Sequence, residues 1–187
     1  MTLQDNFNKH SKEYIFSNDA LLSKDRQKTF NKIELKKFDK RNNESLKNIN
    51  FSDLNSFNYY YEPSAEEPSV NLLEKKIYQI NFINGKCKNY EDNDIEIRNI
   101  QSSDFDKFKD KNFYETDDII SDFNKIFLNS GIFIKIKTNS KVKLNLIHTS
   151  HKNYTIFQHN FFQFQKNCEV IIEDEYNFMD ATINNIQ

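Results

Sequence analysis

The side chains able to do chemistry in this chain are few. His10, His148, His151, His159, Cys87 and Cys168 are its full set of imidazoles and thiols. Only His148 and His151 stand close together. A His-x-x-His pair at a strand-to-loop junction lacks the His-Glu-x-x-His helix that gives a zinc hydrolase its ligands and base. His159 and Cys168, on adjacent strands, have the donor types for zinc or iron. Single histidines and cysteines more often serve as structural or surface groups, so no metal ligand, catalytic residue or cofactor-binding residue is assigned. Glu173-Asp174-Glu175 offers carboxylates for calcium or sugar chemistry. The plainer reading is a solvated strand end that discourages edge pairing. Gly85 and Gly131 are the only glycines, which excludes a glycine-rich phosphate loop, and no Ser or Cys sits in a nucleophile-elbow pattern.

Positioning these groups falls to the run from Thr116 to Tyr176. Thr116 can cap a helix whose first turn carries Asp117 and Asp118, where the helix dipole favours negative charge. Ile119, Ile120, Phe123, Ile126 and Phe127 recur at three- and four-residue intervals, and Gly131 follows as a C-terminal glycine expected at positive φ. Period-two segments come next: Ile132, Ile134 and Ile136, then Val142, Leu144 and Leu146 after an Asn139-Ser140 turn. Tyr154 to Phe164 carries Ile156 and several Phe residues, Lys166-Asn167 interrupts it, and Val170-Ile171-Ile172 resumes. Strands at this spacing fit a sandwich, a barrel or the coils of a solenoid.

Upstream, Ser17 can cap a helix over Ala20, Leu21 and Leu22 toward Arg26, Phe30 and Ile33. Residues 1–16 are polar with scattered aromatics and are expected to be loosely ordered. Phe57 to Ser69, with Pro63 and Pro68, reads as a linker. Ile77 to Asn84 alternates as a strand, and Asn84-Gly85 is a hairpin signal for a type I′ turn. Ile95, Ile97 and Ile100 suggest another strand, and Phe105 and Phe108 lie at helical spacing in a charged connection.

A formal net charge of −2 argues against a nucleic-acid binder, which shows a basic stripe and high pI. The first thirty residues lack an apolar signal region, and no run approaches the 18 apolar residues of a membrane span. Two distant cysteines without a CxxC fit a reducing cytoplasm.

The order Phe123-Asn124, Phe127, Gly131, Ile132 to Ile136, Val142 to Ile147 and Ile171-Ile172-Glu173 resembles the SufD family, the non-ATPase scaffold subunit of the SufBCD iron–sulfur cluster assembly system. Asn81-Phe82-Ile83-Asn84-Gly85 is similar to that family's Val-Phe-Val-Asn-Gly. Both glycines thus fall on family positions. Arg26, Phe30, Phe38 and Glu44-Ser45-Leu46-Lys47 follow its N-terminal pattern, with Leu46, Asn48 and Ile49 departing where Trp, Tyr and Thr are usual.

The resemblance implies an α+β chain: an N-terminal helical or mixed region with an Asn-Gly hairpin over residues 1–115, then, over 116–187, the first coils of a right-handed parallel β-helix, cut short. It implies a non-catalytic role with SufB-like and SufC-like partners and no cofactor held by this segment, the iron–sulfur cluster being handled by the assembled complex. An open β-helix end is expected to self-associate. The alternative is a stand-alone β-solenoid module binding a protein partner or carbohydrate. The lack of a repeated carboxylate ladder on the exposed strand positions favours the scaffold.

Overall fold

The computed structural model describes residues 5, 7, 8, 19–35, 66–108, 119–150, 156–178 and 184–186. Within them the chain forms α1 (Ala20–Leu35), β1 (Ser69–Glu74), β2 (Ile77–Ile83), β3 (Tyr90–Glu91), β4 (Ile95–Asn99), α2 (Ser102–Phe108) and α3 (Ile119–Phe127). Six further strands follow: β5 (Ile132–Ile136), β6 (Lys141–Ser150), β7 (Ile156–Gln158), β8 (Phe161–Gln163), β9 (Glu169–Phe178) and β10 (Asn184–Ile186). Alternating apolar residues dictate the strands, and their burial follows the alternation: along β6, Val142, Leu144, Leu146, His148 and Ser150 point inward.

Two four-stranded mixed sheets result, ordered β1-β2-β6-β9 and β3-β4-β5-β8, with β7 and β10 forming a separate pair. The expected α+β plan, a mostly helical region feeding a right-handed parallel β-helix, is therefore corrected. Strands dominate the described residues, and both sheets contain antiparallel pairs, β1–β2 and β3–β4–β5. The reason lies in the connections. Only Lys75 and Lys76 separate β1 from β2, with Lys76 at φ 65°, and so short a link can join only antiparallel neighbours. The region expected to be helical or mixed supplies strands to both sheets: β2 lies parallel to β6, and β4 antiparallel to β5. Only the last three strands repeat an earlier path. β8, β9 and β10 run parallel to β5, β6 and β7 at a constant 28-residue step (133 to 161, 142 to 170, 156 to 184).

The sheets face each other across one apolar core. Tyr78, Ile80 and Phe82 of β2 and Val142, Leu144 and Leu146 of β6 meet Ile95, Ile97, Ile132, Ile134 and Ile136 from the other sheet. Each such side chain contributes on the order of 2 kcal/mol by leaving water, which outweighs any surface ion pair. A second cluster, Ile100, Phe105, Leu128, Phe133 and Phe161, lies beneath α2. There the Arg98 guanidinium sits 4.1 Å from the centre of the Phe133 ring and donates twice to the fully buried Asp104 carboxylate, at 2.6 and 2.7 Å.

Several local expectations change. Asp19 caps α1, its Oδ1 accepting from the Leu22 amide at 3.0 Å; Ser17, the expected cap, lies outside the described residues. Phe7, in the stretch expected to be loosely ordered, is buried and stacks on Phe30 at 4.6 Å. The Thr116 cap and most of the proline-bearing stretch fall outside the described residues, as does the boundary placed at residue 115. Asn84 and Gly85 do take positive φ, 49° and 76°, as a type I′ turn requires. They do not join two paired strands, however, because only an isolated Ile83–Lys86 bridge closes the turn before the chain crosses to the other sheet.

Gly131 departs furthest from expectation. It is not among the positive-φ residues, so the helix-capping reason for a glycine is wrong. A Cβ there would collide with the His159 carbonyl oxygen and stand 2.5 Å from Ile100 Cδ1. Space, not torsion, demands the glycine.

Two stability tests follow from these contacts. Gly131→Ala should cost about 2 kcal/mol, the range of overpacking against an unyielding backbone, and a melting midpoint equal to wild type would refute the close approach. Asp104→Ala should cost about 3 kcal/mol by removing both bonds to the Arg98 guanidinium, which keeps only Glu96 as an acidic partner among the described residues; denaturant midpoints measure it.

Candidate functional site

One ladder of side chains crosses the first sheet on its inward face. Parallel pairing aligns Phe82 of β2, His148 of β6 and Tyr176 of β9, and in-register strands stack equivalent side chains. The His148 ring stacks between the other two, 4.3 Å from Phe82 and 4.7 Å from Tyr176 and nearly parallel to both at 5° and 13°. Its Nε2 is 3.4 Å from Asp174 Oδ1, an ion-pair separation rather than a formed hydrogen bond. Burial pushes the His148 pKa below its ordinary value, and the Asp174 charge only partly offsets this. The ring is therefore neutral near pH 7. Ser150, two residues on and also inward, has no hydrogen-bond partner for its Oγ among the described residues. No described hydroxyl bonds to His148, so the arrangement lacks the nucleophile–base contact of a hydrolase.

The remaining residues singled out from sequence are dispersed. His159 packs against Phe105 and Phe161 near the second cluster, and burial lowers its pKa. Cys168 packs against the main core instead. His10 and His151 lie outside the described residues. Cys87 is buried, its thiol pushed up to about 12 by burial. Both described cysteines are free thiols, and among the described residues no three His, Cys, Asp or Glu side chains converge as a metal site would require.

The acidic run does not follow a strand but lies inside β9, and alternation divides it. Asp174 falls on the face that meets His148, while Glu173 falls on the opposite face, 2.8 Å from Lys143. Lys141 meets Glu169 at 2.7 Å on that outer face. β9 pairs with β6 along one side only, and no described strand lies along its other side. Ile172 and Tyr176, on the inward face, remain 38% and 42% exposed. β9 is thus an open ten-residue edge, with Ile172 and Tyr176 flanking Asp174 on one face and Glu169, Glu173 and Glu175 on the other; β1, the opposite edge of the sheet, exposes Leu72 and Leu73 at 52% each.

Sequence reasoning missed the polar closure at the opposite end of the core. Asp92 Oδ1 accepts from the amides of Asp94 and Ile95 at 2.7 and 2.8 Å, and Oδ2 accepts from the Tyr78 and Tyr90 hydroxyls at 2.9 and 3.0 Å. Burial alone would raise the Asp92 pKa, but these four donors outweigh it and hold the carboxyl below its ordinary range. The readable signal was Asp92-Asn93-Asp94 just ahead of the alternating Ile95-Glu96-Ile97, the composition of an Asx-turn.

Comparison with family models, curated proteins and solved structures finds no match to this chain. No helix among the described residues is long and apolar enough to cross a membrane.

The two lowered histidines give a pH test. The unfolded chain protonates its histidines near pH 6.5, before the folded form protonates His148 and His159. Their contribution to stability is complete above that value and is lost as pH falls from it through the folded pKa. Thermal melts between pH 7.5 and 5 should show a declining midpoint. His148→Phe, which keeps a ring between Phe82 and Tyr176, should flatten the decline, and an unchanged slope in that variant would exclude His148 as its source.

Proposed function

We propose that this chain is a non-catalytic scaffold subunit resembling SufD, acting with SufB-like and SufC-like subunits in a reducing cytoplasm. The iron–sulfur cluster is cargo of the assembled complex, not of this segment. The observation that carries the reading is where the residues of the resemblance lie. Gly85 and Gly131 flank one crossing: a Cβ on Gly85 would stand 2.6 Å from Ser130 Oγ, while Gly131 is crowded by His159 and Ile100. Ser130 Oγ also donates to the Gly85 carbonyl. Ile171-Ile172-Glu173 sits on β9, the strand with an open edge. The shared positions are thus points of close backbone approach and an exposed edge, which suits a platform for other chains. Free thiols are consistent with a reducing compartment.

Co-expression of the tagged chain with SufB-like and SufC-like subunits, followed by affinity capture and gel filtration, tests the proposal. Co-elution with at least one of them is expected, with nucleotide hydrolysis confined to fractions that contain the ATPase. Elution of the chain free of both partners, or hydrolysis by the chain alone above a mock preparation, would overturn it.

A further inference from the structure

We propose that the open edge of β9 is a docking strand for a partner segment of defined chemistry: an extended stretch carrying lysines on one face and apolar residues on the other. The inference rests on the scaffold reading for its context and deepens it by naming what the partner must present. Backbone hydrogen bonding supplies the first requirement. β9 runs from Glu169 to Phe178 and pairs with β6 through all ten residues, while no described strand meets its outer side. An unpaired edge of this length is a template for β-augmentation.

The side chains select which strand can be added. On the outer face, Glu169 and Glu173 are 64% and 60% exposed in their side chains. Glu175 continues the row, accepting a hydrogen bond from Asn177 and meeting no cation among the described residues. A second copy of β9 placed alongside would set these acids against their own kind, which is destabilising. The edge therefore discriminates against pairing with itself.

The molecule already contains the complementary solution. Lys141-Val142-Lys143-Leu144 of β6 lies against Glu169-Val170-Ile171-Ile172. Its lysines reach Glu169 and Glu173, and its Val142 and Leu144 enter the core. A strand of the same alternation on the far side of β9 would set lysines toward Glu173 and Glu175, an apolar side chain over Ile172 and, between the two lysines, a side chain beside Asp174. Each exposed pair adds little affinity. The pairs select the partner, and the backbone ladder with apolar cover holds it.

A fluorescein-labelled Lys-Val-Lys-Leu-Lys-Val-Thr peptide, titrated with the full chain and followed by anisotropy, tests the edge. Saturable binding is expected. It should weaken at least tenfold when alternate peptide amides are N-methylated on the pairing side, and at least tenfold in Glu173→Lys/Glu175→Lys protein whose thermal midpoint is unchanged. Equal binding of the N-methylated peptide would reduce the effect to charge attraction and overturn edge pairing. Equal binding of a peptide with glutamates in place of lysines would overturn the selectivity, as would self-association of the protein that blocks the peptide. Failure here with intact assembly on SufB-like and SufC-like subunits would remove the β9 edge and leave the scaffold reading standing. The reverse result would remove the scaffold reading alone.

Discussion

The segment from Leu128 to Gly131 is where the molecule is tied together, and it is tied by backbone. The Arg26 guanidinium of α1 donates to the Leu128 carbonyl at 3.1 Å. The amides of Asn129 and Ser130 both donate to Phe157 O, at 3.1 and 3.2 Å, and the Phe157 amide returns a bond to Asn129 Oδ1 at 3.0 Å. His159 N donates to Ser130 O, and Ile100 N to Gly131 O. Four residues thus join the first helix, the 83–86 turn, the end of β4 and β7 with the residue that follows it. Buried backbone groups must find partners, and here each finds one only because no side chain intervenes at positions 85 and 131.

Around that knot the two ends of the main core are finished differently. At one end Asp92 gathers two tyrosine hydroxyls and two amides, and Lys76 spans to Thr138 and Ser140 at 3.1 and 2.6 Å. That end is closed by satisfied polar groups. At β9 the same inward rows run out into partly exposed Ile172 and Tyr176. Apolar burial holds both ends together and, through the alternating rows of β6, sets the register, to which the exposed Lys141–Glu169 and Lys143–Glu173 pairs conform. One end is thus sealed by satisfied polar groups, while the first sheet keeps edges at β1 and β9.

Much of the strand content was readable because alternation is local. β2, β5 and β6 follow the predicted period, and Asn84-Gly85 adopts the two positive φ values its composition demands. What was not readable depended on partners distant in the chain. His148 stood out as an imidazole, but its neighbours Phe82 and Tyr176 join it only through strand pairing that spans dozens of residues. Gly131 was correctly singled out for the wrong cause, since a helix-end pattern cannot reveal a carbonyl arriving from residue 159. The acids of β9 read as a terminus because sequence shows their adjacency and not the alternation that sends Asp174 one way and Glu173 the other. The β-helix expectation failed likewise: the strand periods were present, but short connections such as Lys75-Lys76 imposed antiparallel neighbours that periodicity does not report.

The pairing of β2 with β6 also sets an order in time. β2 touches β1 at once, but its other neighbour begins pairing at Lys143, opposite Ile77. On a ribosome adding about 5–20 residues per second, the wait between those positions (77 to 143) is roughly three to thirteen seconds. A lone two-stranded unit is marginal in water, so throughout that interval Tyr78, Ile80 and Phe82 form an uncovered apolar row on a nascent chain. The arrangement that later gives the core its continuity makes the half-made protein a client for whatever shields hydrophobic surface during synthesis.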